Sequence, residues 1–194
     1  MRVVLIRHGL TRWNEHKRIQ GQTDTSLSDA GRAQVSRWRL PAQLQSQRWY
    51  VSPLRRARQT ADLLGCPAAC VEPRLIEMHW GAWEGASLPE LRSRLGDRLR
   101  DEERRGLDFR PPGGESPRDV QHRVLRWCAE LSGVAGEVVA VTHKGVIRAV
   151  YAAAVEWDMR HPPVHELQWQ SGHIFRVHRD GRVSVSALNV SLRG

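Results

Sequence analysis

Two runs of consecutive apolar, largely β-branched residues stand out along the chain, Val3–Ile6 and Val138–Val141. Runs of this length with no polar alternation predict strands buried on both faces. Trp49-Tyr50-Val51 predicts a shorter third strand. Between them the apolar spacing changes to a helical period. Ser28 is placed to cap a segment running to Trp38 that Pro41 ends. Ser52-Pro53 predicts an N-cap with proline at the first helical position, followed by Leu54, Ala57, Ala61 and Leu64 on one face up to Gly65. Ser116-Pro117 repeats that device before a stripe of Val120, Val124, Trp127, Cys128 and Leu131. Val146 to Val155 predicts a further apolar helix, and Asp180-Gly181 between His173–His178 and Val183–Leu188 predicts a hairpin. Strands alternating with helices predict an α/β fold with a mostly parallel sheet.

One segment breaks the pattern. From Leu88 to Arg110 a thin stripe of Leu88, Leu91, Leu95 and Leu99 runs along a highly charged stretch. It predicts one helix lying over the sheet edge as a lid, with Pro111-Pro112-Gly113-Gly114 returning the chain to the core. No repeat or linker interrupts the 194 residues, so one domain is expected, with the lid-like excursion at about 86–112.

Composition narrows the classes. Apolar runs of four to six residues and a mean hydropathy of −0.52 exclude a membrane-spanning helix. Arg7 and His8 interrupt the first apolar run too early for a secretory signal. Cys66, Cys70 and Cys128 form neither a C-x-x-C pair nor a zinc spacing, which predicts free thiols in the cytoplasm. The net charge of +9 suits an anionic partner, and 28 of the 30 basic residues are arginine, the better fork for phosphate or carboxylate. These arginines are scattered among acids, so charge alone selects no partner.

The candidate chemistry sits where the strands end. Val3–Ile6 runs into Arg7-His8-Gly9, and Val138–Val141 runs into Thr142-His143-Lys144-Gly145. Open parallel sheets bind ligands at the carboxyl ends of their strands, so both histidines are expected to face one crevice. The third strand ends at a helix whose first turn carries Arg55 and Arg56, an arrangement suited to an anion.

These residues resemble the signature blocks of the histidine phosphatase (phosphoglycerate mutase-like) superfamily. The first block is Arg7-His8-Gly9-Leu10-Thr11-Arg12-Trp13-Asn14, continuing through Arg18-Ile19-Gln20-Gly21 to Asp24, Leu27, Gly31 and Gln34. Ser52–Ala61, then Leu75-Ile76-Glu77 with Gly81–Gly85, then Pro112–Ser116 and finally Thr142–Arg148 follow in family order. The resemblance implies a three-layer αβα fold and a metal-independent phosphomonoesterase with no cofactor. His8 would attack phosphorus to give a phosphohistidine that water cleaves. Arg7 and Arg56 would keep its imidazole neutral and, with Asn14 and His143, clamp the non-bridging oxygens. Glu77 would serve as general acid and then base. Gln20 and Gly21 join the implied substrate-binding set, with Gly9 and Gly21 letting backbone approach the phosphate. Lys144 stands where the family often has glycine. Pointing inward it would add a charge for the phosphate or another substrate anion; an outward, solvated position is favoured slightly.

Each assignment has a plainer competitor. A single histidine after a strand is usually structural, and only the matching blocks give His8 and His143 a catalytic role. The other seven histidines are assigned to surface or core, with His79 the closest competitor because it lies near Glu77. Arg55 and Arg58 are assigned to solvent and Glu84 to a structural pairing. Trp80 and Trp83 fit core and pocket wall equally. Two rival functions stand beside the phosphatase: a cofactor-dependent phosphoglycerate mutase and a non-catalytic basic binding protein. Only 27 residues separate Gly85 from Gly113, and none is lysine, which favours hydrolysis over mutase chemistry. No nucleic-acid-binding motif supports the second rival. A small phosphorylated substrate is expected, with no nucleic-acid or membrane partner; a homodimer stays open.

Overall fold

The computed structural model describes residues 1–133 and 136–192. Six strands form one sheet: β1 (Arg2–Arg7), β2 (Arg48–Val51), β3 (Cys70–Val71), β4 (Glu137–Thr142), β5 (Ser171–Val177) and β6 (Val183–Ser191). Their order is β3-β2-β4-β1-β5-β6. The pairs β2–β3, β2–β4 and β1–β4 are parallel, whereas β5 and β6 add an antiparallel edge.

The two continuous apolar runs are the central strands, paired Val3 to Val138 through Ile6 to Val141. Successive side chains point to opposite faces, which is why every residue of each run is buried. Val3, Leu5, Val138 and Ala140 enter one core with α7 (Pro117–Glu130) and α8 (Lys144–Ala154). Val4, Ile6, Val139 and Val141 enter a second core with α2 (Asp29–Val35) and α4 (Arg55–Leu63). The result is the expected three-layer αβα arrangement. Two four-residue helices complete the count before α4: α1 (Arg12–Glu15) and α3 (Ala42–Gln45).

Ser116 caps α7 in a full capping box with Asp119, as its Ser-Pro start predicts. The same expectation fails at Ser52. Helix α4 begins at Arg55 with Leu54 as an N-cap that makes no side-chain bond; the Ser52 hydroxyl accepts from the Leu54 amide, one residue short of the helix, and also meets His143. The Ser28 segment also ends early, at Val35, although Trp38 still packs into the core.

The charged excursion is two helices rather than one, α5 (Leu88–Leu95) and α6 (Asp97–Glu103), followed by a short 3-10 turn, Gly106–Asp108. Gly96, at φ +55°, breaks the run in a conformation that a side chain disfavours. Leu91 and Leu99 bury themselves in a small cluster with Trp83, joined by Ile19, Trp80 and Phe109. That cluster contains no strand residue, so the segment roofs the site described next rather than a sheet edge. Among the described residues, no helix is long and apolar enough to cross a membrane.

Candidate active site

A cavity of about 590 Å³ opens at the carboxyl ends of the central strands. The parallel ladder continues past β1 and β2, with the His8 amide donating to the Thr142 carbonyl and the Ser52 amide to that of Val141, each at 3.0 Å. Three strand ends are thereby locked side by side. Because β5 runs antiparallel to β1, its beginning lies at the same end and brings Trp169 beside Arg7 and Lys144.

His8 is buried, and its Nδ1 lies 2.7 Å from the Gly9 carbonyl. A carbonyl only accepts, so Nδ1 carries the proton and Nε2 keeps its electron pair. Arg56 Nε donates to that Nε2 at 3.3 Å. Burial, and then the charges of Arg7 and Arg56, hold the imidazole well below its ordinary range, so the ring is neutral near pH 7. Burial contributes more than the arginines to which sequence reasoning credited the effect.

Arg56 is fully buried, and its guanidinium donates to the carbonyls of Gly21 at 2.7 Å and Thr23 at 2.9 Å. Thr60 ties this helix to the loop after β1, accepting from the Gly9 amide at 3.1 Å and donating to the Arg56 carbonyl at 2.7 Å. Arg7 is held differently. Its Nε is buried and has no protein partner among the described residues.

His143 lies behind His8, with ring centroids 5.0 Å apart, and is completely buried. Its Nε2 is 2.6 Å from the Ser52 hydroxyl, which itself accepts from the Leu54 amide. A hydroxyl oxygen can accept twice while donating once, so this contact satisfies Nε2 in either tautomer. The Nδ1 of His143 is buried and has no hydrogen-bond partner among the described residues. Burial and the neighbouring Arg56 charge keep this ring neutral as well.

Asn14 and Gln20 both line the cavity and spend their amide oxygens on the protein. Asn14 Oδ1 accepts from the Thr11 amide at 3.1 Å, and Gln20 Oε1 accepts from the Thr11 and Thr25 hydroxyls at 2.8 Å. Their NH₂ groups are thus left to donate to a ligand. Glu77 is buried at the cavity wall, Oε1 accepting from the Met78 amide at 2.8 Å and the Gly145 amide at 3.1 Å. A Cβ on Gly145 would overlap this carboxylate, so glycine is required there.

The structure thus brings Arg7, His8, Asn14, Gln20, Gly21, Arg56, Glu77 and Lys144 to one cavity, with His143 directly beneath. Several lesser expectations change. Lys144 is exposed and also lines the cavity, its Nζ 4.9 Å from the Trp169 ring centroid. Gly9 and Gly21 have packing reasons: an added Cβ would strike Val35 and Glu84 respectively. His79 does not line the cavity; its Nδ1 lies 3.0 Å from the Gly113 carbonyl. Glu84 is structural, accepting from the amides of Gln22, Thr23 and Trp80. Trp83 is core and pocket wall at once. Arg55 and Arg58 are exposed.

Sequence reasoning gave no role to Arg148, Trp169, Ser52 or Thr60. Arg148 had a signal, since it lies four residues after Lys144 and shares its helix face. Trp169 had none, because only the antiparallel β5 brings it to the site. Among the described residues, no cluster of three or more His, Cys, Asp or Glu side chains is arranged to hold a metal ion.

A family model for the histidine phosphatase superfamily (branch 1) matches residues 3–190. The chain belongs to this superfamily. Within it, a glucosyl-3-phosphoglycerate phosphatase of Mycolicibacterium vanbaalenii is 39% identical over 179 residues, covering 84% of this chain and 78% of the relative. A 2,3-bisphosphoglycerate-dependent phosphoglycerate mutase of Gloeobacter violaceus is 32% identical over 163 residues, covering 76% and 73%. The solved structure of a mycobacterial glucosyl-3-phosphoglycerate phosphatase in complex with VO3 superposes with a TM-score of 0.78 at 31% identity, covering 98% of this chain and 99% of the other.

Proposed function

We propose that this protein is a phosphomonoesterase that hydrolyses a small phosphorylated metabolite through a phosphohistidine at His8. The observation that carries the reading is the tautomer of His8. With Nδ1 donating to the Gly9 carbonyl, the Nε2 electron pair belongs to the cavity and, among the described residues, is met there only by a cation, Arg56. As a phosphate monoester enters, its oxygens take the donors that the protein leaves unspent, Arg7 and the amide NH₂ groups of Asn14 and Gln20, with His143 completing the clamp. Arg56 turns its Nε–H from the imidazole to a phosphate oxygen, which frees Nε2.

Nε2 then forms a bond to phosphorus while the bond from phosphorus to the alcohol oxygen breaks. The departing oxygen takes a proton from Glu77. Water gives a proton back to Glu77 and attacks phosphorus, the N–P bond breaks, and inorganic phosphate and neutral His8 are regenerated. The cationic surround stabilises charge on the transferring group in a site that excludes most water. Identity to a named phosphatase supports hydrolysis, as does the short, lysine-free stretch between Gly85 and Gly113. A reducing cytoplasm goes with the reading, in keeping with three free cysteines.

The mutase is the second reading, favoured by the mutase relative and by the cations Lys17, Lys144 and Arg148 along the cavity. Two assays test the phosphatase reading. Turnover of p-nitrophenyl phosphate undiminished by EDTA separates a metal-independent enzyme from a non-catalytic binding protein. Rapid conversion of 3-phosphoglycerate to 2-phosphoglycerate with catalytic 2,3-bisphosphoglycerate, and little free phosphate, overturns it.

A further inference from the structure

Glu77 stands in a stretch of chain with no helix or strand to hold it, between the 3-10 turns Pro73–Leu75 and Gly81–Trp83. Leu75 and Met78 bury their side chains in the core shared with α7 and α8, which fixes where the stretch lies. Apolar contacts are non-directional, so the orientation of the peptide planes around Glu77 falls to hydrogen bonds.

Arg123, in the middle of α7, supplies the decisive ones. Its Nη1 donates to the Arg74 carbonyl at 2.5 Å and its Nη2 to the Glu77 carbonyl at 3.2 Å. The rest of the guanidinium goes to Glu115, Nε to Oε1 at 2.9 Å and Nη2 to Oε2 at 3.1 Å. Glu115 in turn holds the stretch beyond Glu77. Its Oε2 accepts from the His79 amide and its own amide donates to the His79 carbonyl, each at 2.9 Å. Among the described residues, every hydrogen bond of Arg123 therefore ends on the backbone that carries Glu77 or on the carboxylate that clasps it.

A fork of two parallel N–H···O bonds permits one relative orientation, so it transmits geometry as well as attraction. Arg118, five residues earlier on the same helix, makes a similar fork to a different end. Both of its bonds stop at Asp108, and that pair is about half exposed. The Arg123–Glu115 pair is mostly withdrawn from water, with side-chain exposures of 17% and 25%. On the cavity side, the Glu77 carboxylate meets the Met78 and Gly145 amides. Gln22 Nε2 also donates to the Glu77 carbonyl, at 3.0 Å. Those contacts aim the carboxylate only while the backbone behind it stays in place. A shift of about 1 Å in such a group can cost on the order of a hundredfold in rate.

Resting on the phosphatase reading for the role of Glu77, we infer that Arg123 and Glu115 form a buckle behind the cavity that positions Glu77 for proton transfer to the leaving oxygen. Neither lines the cavity, so both are positioning residues.

The dependence of kcat/KM on the leaving group tests this. That ratio covers the steps up to phosphoryl transfer to His8 and omits hydrolysis of the phosphohistidine, which all substrates share. Ethyl phosphate needs a well-placed proton donor, whereas p-nitrophenyl phosphate does not. Arg123→Gln should lower kcat/KM roughly tenfold or more for ethyl phosphate and less than about threefold for p-nitrophenyl phosphate. Arg123→Lys should recover part of the loss, and Arg118→Gln should change neither substrate. On a Glu77→Gln background, where no acid is left to aim, Arg123→Gln should cost ethyl phosphate little more. Glu115→Gln keeps an acceptor for the His79 amide but loses the ionic fork, and it repeats the test if Arg123→Gln fails to fold. Equal losses on both substrates, no loss on either, or a full additional loss on the Glu77→Gln background overturns the inference. A graded Glu77→Gln effect that Arg123→Gln does not share overturns the inference alone. A Glu77→Gln effect equal on both substrates removes the acid role in the phosphatase reading, and the inference falls with it.

Discussion

The strand-end wall of the cavity, carried by β1, β2 and β4, and the helical wall opposite, carried by α5 and α6, hold their side chains by different means. On the first wall, His8, Arg56 and His143 are buried, and each is aimed by a fixed partner: the Gly9 carbonyl, the Gly21 and Thr23 carbonyls, and the Ser52 hydroxyl. On the second, Leu91 and Leu99 are the buried anchors, and the outer face is stitched by exposed pairs such as Arg100 to Asp97 and Arg104 to Asp101. Pairs of that kind contribute about 0–1 kcal/mol each. The first wall fixes its side chains in place, which suits the proposed transfer at a single nitrogen. The second covers the cavity while leaving its own surface free to vary.

Removing the proposed nucleophile gives the sharpest contrast. His8→Ala should lower turnover by at least about a thousandfold while the far-ultraviolet spectrum and melting transition stay those of a folded protein. A folded variant with more than a few per cent of wild-type activity would place the chemistry elsewhere. Glu77→Gln comes next. It should slow an alkyl phosphate by roughly a hundredfold or more, and p-nitrophenyl phosphate by much less, because nitrophenolate leaves without a proton. Equal slowing of both in the phosphorylation step removes the acid role.

Acid sensitivity belongs to the strand-end wall and to His173 on the neighbouring β5. Burial holds His8, His143 and His173 below their ordinary value of 6.5 in the fold. Unfolding restores that value, so below it the unfolded chain binds more protons and stability rises with pH. The contribution is complete above about pH 6.5 and is lost as pH falls, by up to ~1.4 kcal/mol per pH unit for each histidine. His8→Asn should flatten the slope of unfolding free energy between pH 7 and 5 by about one histidine's share. An unchanged slope contradicts the buried, neutral ring. The smallest effect is expected on the outer face of the helical wall. Arg104→Gln breaks an exposed pair and should cost less than about 1 kcal/mol in denaturant melts, with no measurable change in kcat/KM. A large loss of activity would erase the distinction between the walls.

The same division governs what the amino-acid sequence reveals. The central strands and α7 are legible because continuous apolar runs and a Ser-Pro cap each have one local solution, and the site residues at strand ends follow from them. The start of α4 is misread because Ser52 bonds the Leu54 amide and His143 while the helix itself begins only at Arg55. The split between α5 and α6 turns on the backbone of one residue, Gly96, within an unbroken leucine stripe. Strand β3 has only two residues, too few for any periodicity. Trp169 reaches the site through sheet pairing alone, whereas Arg148 is signalled by its spacing from Lys144.

The most direct test of the account is to quench the protein with substrate on the millisecond scale under neutral or alkaline conditions, digest it, and locate the phosphoryl group by mass spectrometry. The account predicts an acid-labile phosphate on the peptide bearing His8, formed before free phosphate is released and absent from His8→Ala. Phosphate on another residue, or full turnover with no phosphorylated protein at any time point, would contradict it.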